Sequence, residues 1–294
     1  IIATQNGTQV TIQVTAKTKA GDGIAAMSPG NLQTFVLQRG EVLNIEAEPD
    51  TLFGIEDLTG STISANKPIA AFSGHEEAVI SAPTIGASSS CCADHLEEQL
   101  LPLETLASDY VLVKSKSRGG EMDLWRVQAV EANTTISTVP PIAGLDGETL
   151  TKKGDWVEAM TDQSFELTGS APLQVGQYLV SQSDTSAVTG DPSLILSIPS
   201  VRFRDAYLLM VPSDYTENWV TVTKEPSTVV SVNGQPVDQT EFFSVGTGAW
   251  EAAYVALDPG VHEVSGDATF GLVAYGYNSA VSYGYPGGMT SPAE

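Results

Sequence analysis

The chain has 294 residues, 13 of them basic and 36 acidic, for a net charge of −23; 17% of its residues are charged and 41% are hydrophobic, with a mean hydropathy of 0.00. That length allows two or three domains with real cores, and the apolar content excludes global disorder. A surface this negative repels phosphate, so nucleic acid is excluded as a partner, and no apolar run reaches the ~20 residues needed to cross a bilayer. No basic-then-apolar leader opens the chain, which reads as a mature or trimmed piece. Scarce Lys and Arg beside an acidic excess suit a secreted or cell-surface protein, and suit a salty habitat as well. Asn6-Gly7-Thr8 and Asn133-Thr134-Thr135 fit the glycosylation pattern, which is short enough to arise by chance.

Alternation of apolar and polar residues predicts strands over residues 10–14 and 42–46. Helical periodicity is nearly absent. Its one candidate runs over residues 94–101, with Asp94 as N-cap and carboxylates in the first turn, and Pro102 discourages continuation. Beyond it, strand-like runs cover residues 110–116, 123–131, 134–139, 156–160, 164–167, 173–180 and 193–198, then 219–223 and 229–232. Asn233-Gly234 follows the last of these and predicts a tight hairpin turn. Trp125, Trp156, Trp219 and Trp250 lie in or beside such runs and read as core or sheet-face packing.

The chain also repeats itself. Pro102 and Tyr110 recur as Pro199 and Tyr207, and Leu167-Thr168-Gly169-Ser170-Ala171-Pro172-Leu173 recurs as Val264-Ser265-Gly266-Asp267-Ala268-Thr269-Phe270, all at an offset of 97. A looser third copy is Leu58-Thr59-Gly60-Ser61 followed by Pro68-Ile69-Ala70-Ala71-Phe72. Seven short strands per hundred residues fit an antiparallel sandwich, so the expected fold is all-β, three related β-sandwich modules at residues 1–97, 98–194 and 195–294. In the first module the lead-in to the opening strand is missing, which would leave an open sheet for strand addition by a neighbouring chain.

Chemistry-bearing residues concentrate in Ser73-Gly74-His75-Glu76-Glu77 and Cys91-Cys92-Ala93-Asp94-His95. Imidazole, thiolate and carboxylate are zinc's ligand types, so His75, Asp94 and His95, with Cys91 and Cys92, are candidate metal ligands, although their spacing matches no established site. Otherwise the histidines satisfy hydrogen bonds and the adjacent cysteines pin a loop, as a vicinal disulfide or as thiols. Calcium is a second candidate ion, through Glu46, Glu48 and Asp50 with Glu56 and Asp57, but no Asp-x-Asp-x-Asp-Gly loop is present. Glu76 with Glu77 could serve as acid and base, yet adjacent carboxylates usually form a solvated loop. Nothing resembles a hydrolase elbow, a triad or a phosphate-cradling loop.

Ser73-Gly74-His75, the run Cys92-Ala93-Asp94-His95-Leu96-Glu97-Glu98-Gln99-Leu100-Leu101-Pro102, and the closing Tyr275-Gly276-Tyr277 with Ser282-Tyr283-Gly284-Tyr285-Pro286 together resemble the amino-terminal domain of the IgG Fc-binding protein family. Nearly the whole chain takes part. Family members often carry a cysteine soon after the Gly-His, where this chain has Glu76-Glu77, so the bridge that the family would form there is missing. The resemblance implies an extracellular, non-catalytic module of adhesive or mucus-like assemblies, and points to the family's bacterial surface proteins. The expected partners are a protein or glycan ligand or further copies of the chain. The competing reading is a metal-dependent hydrolase of surface glycans or proteins, centred on His75, Asp94 and His95.

Overall fold

The protein, seen in a computed structural model, is described over residues 1–48, 57–81 and 92–292. It is built from antiparallel strands joined by turns, with a few single-turn 3₁₀ segments. The first block contains β1 (Ile2–Ala3), β2 (Thr8–Gln13), β3 (Leu32–Leu37), β4 (Thr62–Ala65), β5 (Ile69–Ala70), β6 (Phe72–Ala78) and β7 (Asp94–Gln99). The middle block contains β8 (Ala107–Leu112), β9 (Asp123–Ala129), β10 (Thr134–Val139), β11 (Thr149–Leu150), β12 (Trp156–Thr161), β13 (Phe165–Leu179) and β14 (Ser193–Leu196). The last block contains β15 (Arg204–Val211), β16 (Glu217–Lys224), β17 (Val230–Val232), β18 (Gln235–Pro236), β19 (Phe243–Val245), β20 (Trp250–Ala256), β21 (Gly260–Asn278) and β22 (Val281–Pro286). Among the described residues no sheet pairs strands of different blocks.

One long bent strand organises each of the latter two blocks. The start of β13 pairs with β8 and β10, and its end pairs with β9 and β14. β21 does the same with β15 and β17, then with β16 and β22. Each strand therefore bends one continuous sheet, seven-stranded in the middle block and eight-stranded in the last, around a common core. Residues 164–167 and 173–180, read from sequence as two strands, are one, because the chain bends at Gly169-Ser170-Ala171 without leaving the ladder. A Cβ at Gly169 would lie 2.6 Å from the Ala171 carbonyl oxygen, and one at Gly266 would lie 2.8 Å from that of Ala268, so the corner demands glycine in both copies. The corner is also stitched: the Tyr110 hydroxyl donates to the Leu173 carbonyl and the Tyr207 hydroxyl to the Phe270 carbonyl, each at 2.5 Å.

The cores follow from the alternation. Inward residues of β9, β13 and β8, including Trp125, Val127, Leu167 and Tyr110, fill the middle block, with Trp125 edge-on to Phe165 at 5.5 Å. Val220, Val222, Val264 and Phe270 do so in the last block. Asn233 and Gly234 hold positive φ angles of 51° and 76° in the turn from β17 to β18, and the Asn233 side chain bonds the buried His262 ring.

Two expectations are corrected. Residues 94–99 form β7, not a helix: Leu96 is buried between the exposed His95 and Glu97, and β6 supplies a ladder from Phe72↔Gln99 to Ala78↔Asp94. Tertiary pairing outweighs the capping signal because the segment alternates with period two as well. Residues 42–46 form no ladder. Leu43 is buried in the first core, but the backbone makes only isolated bridges, Ile2↔Val42 and Thr18↔Ala47.

Candidate functional site

The motif that draws attention in the sequence sits on the β6–β7 pair. His75 faces Leu96 in register, so His95, the neighbour of Leu96, points to the opposite face. The His75 Nδ1 accepts the Glu77 N–H at 3.1 Å, and His95 Nε2 lies 3.2 Å from a Glu97 carboxylate oxygen, both side chains more than half exposed. Asp94 accepts the N–H of His95 at 2.8 Å. Among the described residues no three His, Cys, Asp or Glu side chains group closely enough to hold a metal ion. Of the acidic clusters, Glu46 pairs with Lys19, and Asp57 lies 2.9 Å from Arg126 and accepts from the Thr59 N–H. Asp50, Glu56 and Cys91 lie outside the described residues, and with Cys91 the vicinal pair expected from the sequence.

What the motif does instead is tie the first block to residues 181–191 of the middle one. Cys92 adopts a φ of 86°, its carbonyl accepts the Ser181 hydroxyl at 3.0 Å, and its Sγ accepts Gln182 Nε2 at 3.2 Å. Ser181 N–H also donates to the Ile80 carbonyl, so residues 181–191 of the middle block are tied to the first. The far end of the same segment is tied to the last block: Gly190 N–H donates to Asn278 O at 2.8 Å and Asp191 N–H to the Ser282 hydroxyl at 2.7 Å. Arg118 holds the segment from inside. Its guanidinium donates to the carbonyls of Val180 and Thr189 and lies over the Tyr277 ring at 4.5 Å.

Two carboxyls in this junction are unusual. Burial lifts Glu98 to about 7, against the pull of the Leu196 and Gln99 N–H groups, and one of its oxygens has no partner. Burial, then the nearby charge of Asp94, lifts Asp191 to about 7 against the pull of Arg118, and its Oδ1 likewise has no partner. Raised carboxyls of this kind can act as general acids.

Further basic side chains weld the blocks to each other. Arg126 of β9 reaches Asp57 and the Thr59 hydroxyl of the first block while pairing with Glu158 at 2.7 Å and stacking on Trp156 at 4.2 Å. On the other side, the Lys116 N–H donates to the Tyr275 hydroxyl at 2.9 Å, and its ammonium lies over the rings of Trp219 and Tyr254. Tyr254 donates to the Lys114 carbonyl, and Lys114 is itself buried against Glu121 at 2.8 Å. Glu166 accepts both the N–H and the hydroxyl of Thr247. A crevice between these blocks, lined by Val111, Trp125, Phe203, Thr221 and Val273, holds about 40 Å³, far below a small-molecule site. Sequence reading missed these welds. The signal was there in a chain poor in cations: Lys114, Lys116, Arg118 and Arg126 crowd into one short stretch.

The family profile described as IgGFc binding protein matches residues 1–276. The human IgGFc-binding protein is 26% identical over 255 residues, 83% of this chain, and the chain spans 4% of that relative's length. The finer placement among bacterial surface proteins gains no support from these similarities. No solved structure matches the chain. No helix among the described residues is long and apolar enough to cross a membrane.

Proposed function

Since the chain belongs to the IgGFc binding protein family, we propose that it serves as an extracellular, non-catalytic binding module, with joints near residues 98 and 195, whose outward sheet faces and loops engage a protein or glycan ligand. One observation supports this reading: the candidate polar groups either face apart or are spent on holding blocks together. His75 and His95 face apart, Cys92 pins a loop, and Arg118 and Arg126 bind carbonyls and carboxylates of neighbouring blocks. Fixed spacing between blocks favours adhesion because a preformed surface loses little conformational entropy on binding. The acidic surface favours ligands with basic patches and association that weakens with salt.

The test is to immobilise the intact chain and probe it with an array of extracellular proteins, the Fc fragment of IgG and glycans. Saturable binding without turnover of the bound species supports the reading. Cleavage of an arrayed glycan or peptide, abolished by His95→Ala, would replace it with the hydrolase.

A further inference from the structure

Each block presents the same three-strand unit: a central strand, β2, β9 or β16, flanked by β4, β13 or β21 on one side and by β3, β12 or β20 on the other. The inner face of this unit fills the block's own core. In the middle block its outer face, carrying Arg126, Trp156 and Glu158, lies on the first block through Asp57 and Thr59. In the last block the outer face, carrying Trp250, Ala252 and Tyr254, lies on Val111 and Val113 of the middle block. The blocks thus stack head to tail, the outer face of one on the preceding one.

Both ends of this stack are open among the described residues. Shifted by 97, Val111, Val113 and Glu166 become Leu208, Met210 and Glu263, with the register preserved: Glu166↔Val111 in the middle block, Glu263↔Leu208 in the last. Where Val113 is 7% exposed under its neighbour, Leu208 is 75%, Met210 65% and Val261 66% exposed. At the opposite end, the outer face of the first block's unit, Gln9, Thr11 and Gln13 with Leu32, Thr34 and Val36, is also uncovered, with Leu32 64% and Val36 60% exposed. Neither apolar patch is needed for its own core, and together they are the two halves of an interface the molecule already makes internally.

We propose that a second copy of this chain docks here, setting the outer face of its β2–β3–β4 unit on the Leu208–Met210–Val261 face of the first. Leu32 and Val36 meet the apolar strip, and a Thr or Gln donor meets Glu263 as Thr247 meets Glu166. Because the two patches differ, the contact is heterologous and continues into a filament. This goes beyond the ligand-binding reading and stands or falls separately from it.

Analytical ultracentrifugation of the full chain tests this. With −23 charges on each copy, association should be weak at about 0.1 M salt and grow at about 1 M, open-ended with concentration. Leu208→Glu with Met210→Glu should weaken it more than about tenfold, and so should Leu32→Glu with Val36→Glu, with folding checked by unchanged circular dichroism. Mixed, the two variants each retain one good face and should form dimers that grow no further. A strict monomer at both salts, which would leave the faces to a flanking block of a longer chain, overturns the proposal. So does a closed symmetric dimer, or association that either variant pair leaves intact.

Discussion

Gly60 and Gly154 meet backbone to backbone across the seam between the first and middle blocks. A Cβ at Gly60 would lie 2.6 Å from the Gly154 carbonyl oxygen, and one at Gly154 would lie 2.7 Å from that of Gly60, with φ angles of +92° and +85°. Either alanine variant therefore adds backbone strain and pushes the seam apart. Each should cost about 1–3 kcal/mol in thermal unfolding. An unchanged midpoint would mean that the seam is looser than this contact.

The corner tyrosines offer a matched pair. Tyr110→Phe and Tyr207→Phe each leave a buried carbonyl, of Leu173 or Phe270, without its donor. Each should lose about 1–3 kcal/mol, and the two losses should agree within about 1 kcal/mol if the copies are equivalent. Denaturant melts of the single variants decide this.

Stability should depend on pH in an uncommon direction. Glu98 and Asp191 sit at about 7 in the folded chain and return to ordinary carboxylate values on unfolding. Between pH values of about 4 and 7 the folded state thus binds more protons, so their contribution to stability is lost as pH rises through that window. Asp57 and Glu121 act oppositely. Burial resists their ionisation, but the bonds from Thr59 and the charge of Arg126, and for Glu121 the bond and charge of Lys114, outweigh it and hold both below the usual range. Their contribution is lost on acidification below a pH of about 4. The midpoint should rise by about 2–4 °C from pH 8 to 5 and fall again at lower pH. Glu98→Gln should flatten the first limb, and a profile that it leaves unchanged would contradict this assignment.

The two cysteines give a covalent prediction. Cys91 and Cys92 are the only cysteines in the sequence, and we expect them to bridge each other. The unfolded, alkylated chain should then take up reagent only after reduction, with an intact-mass gain of about 2 Da from reduction alone.

Much of the fold could be read from residue order. Alternation located β9, β10 and β12 closely, Asn233-Gly234 marked its hairpin, and the Leu167–Leu173 and Val264–Phe270 copies turned out to be corners of bent strands. Residues 94–99 misled because a short segment can satisfy a capping pattern and an alternating one together, and only the distant partner β6 decides between them. Residues 42–46 have strand character, but they meet β1 through a single bridge and form no ladder, which alternation cannot foresee. The junction was hidden for a different reason. Arg118 gains its meaning from the carbonyls of Val180 and Thr189 and the ring of Tyr277, groups far along the chain that only the folded structure brings together.

Scanning calorimetry of the intact chain tests most directly whether the stack is one body. With Lys116, Tyr254, Tyr275 and Glu166 joining the middle and last blocks, these two should unfold in a single transition whose calorimetric and van't Hoff enthalpies agree. Two separate transitions for them, each unmoved by Lys116→Ala, would contradict it.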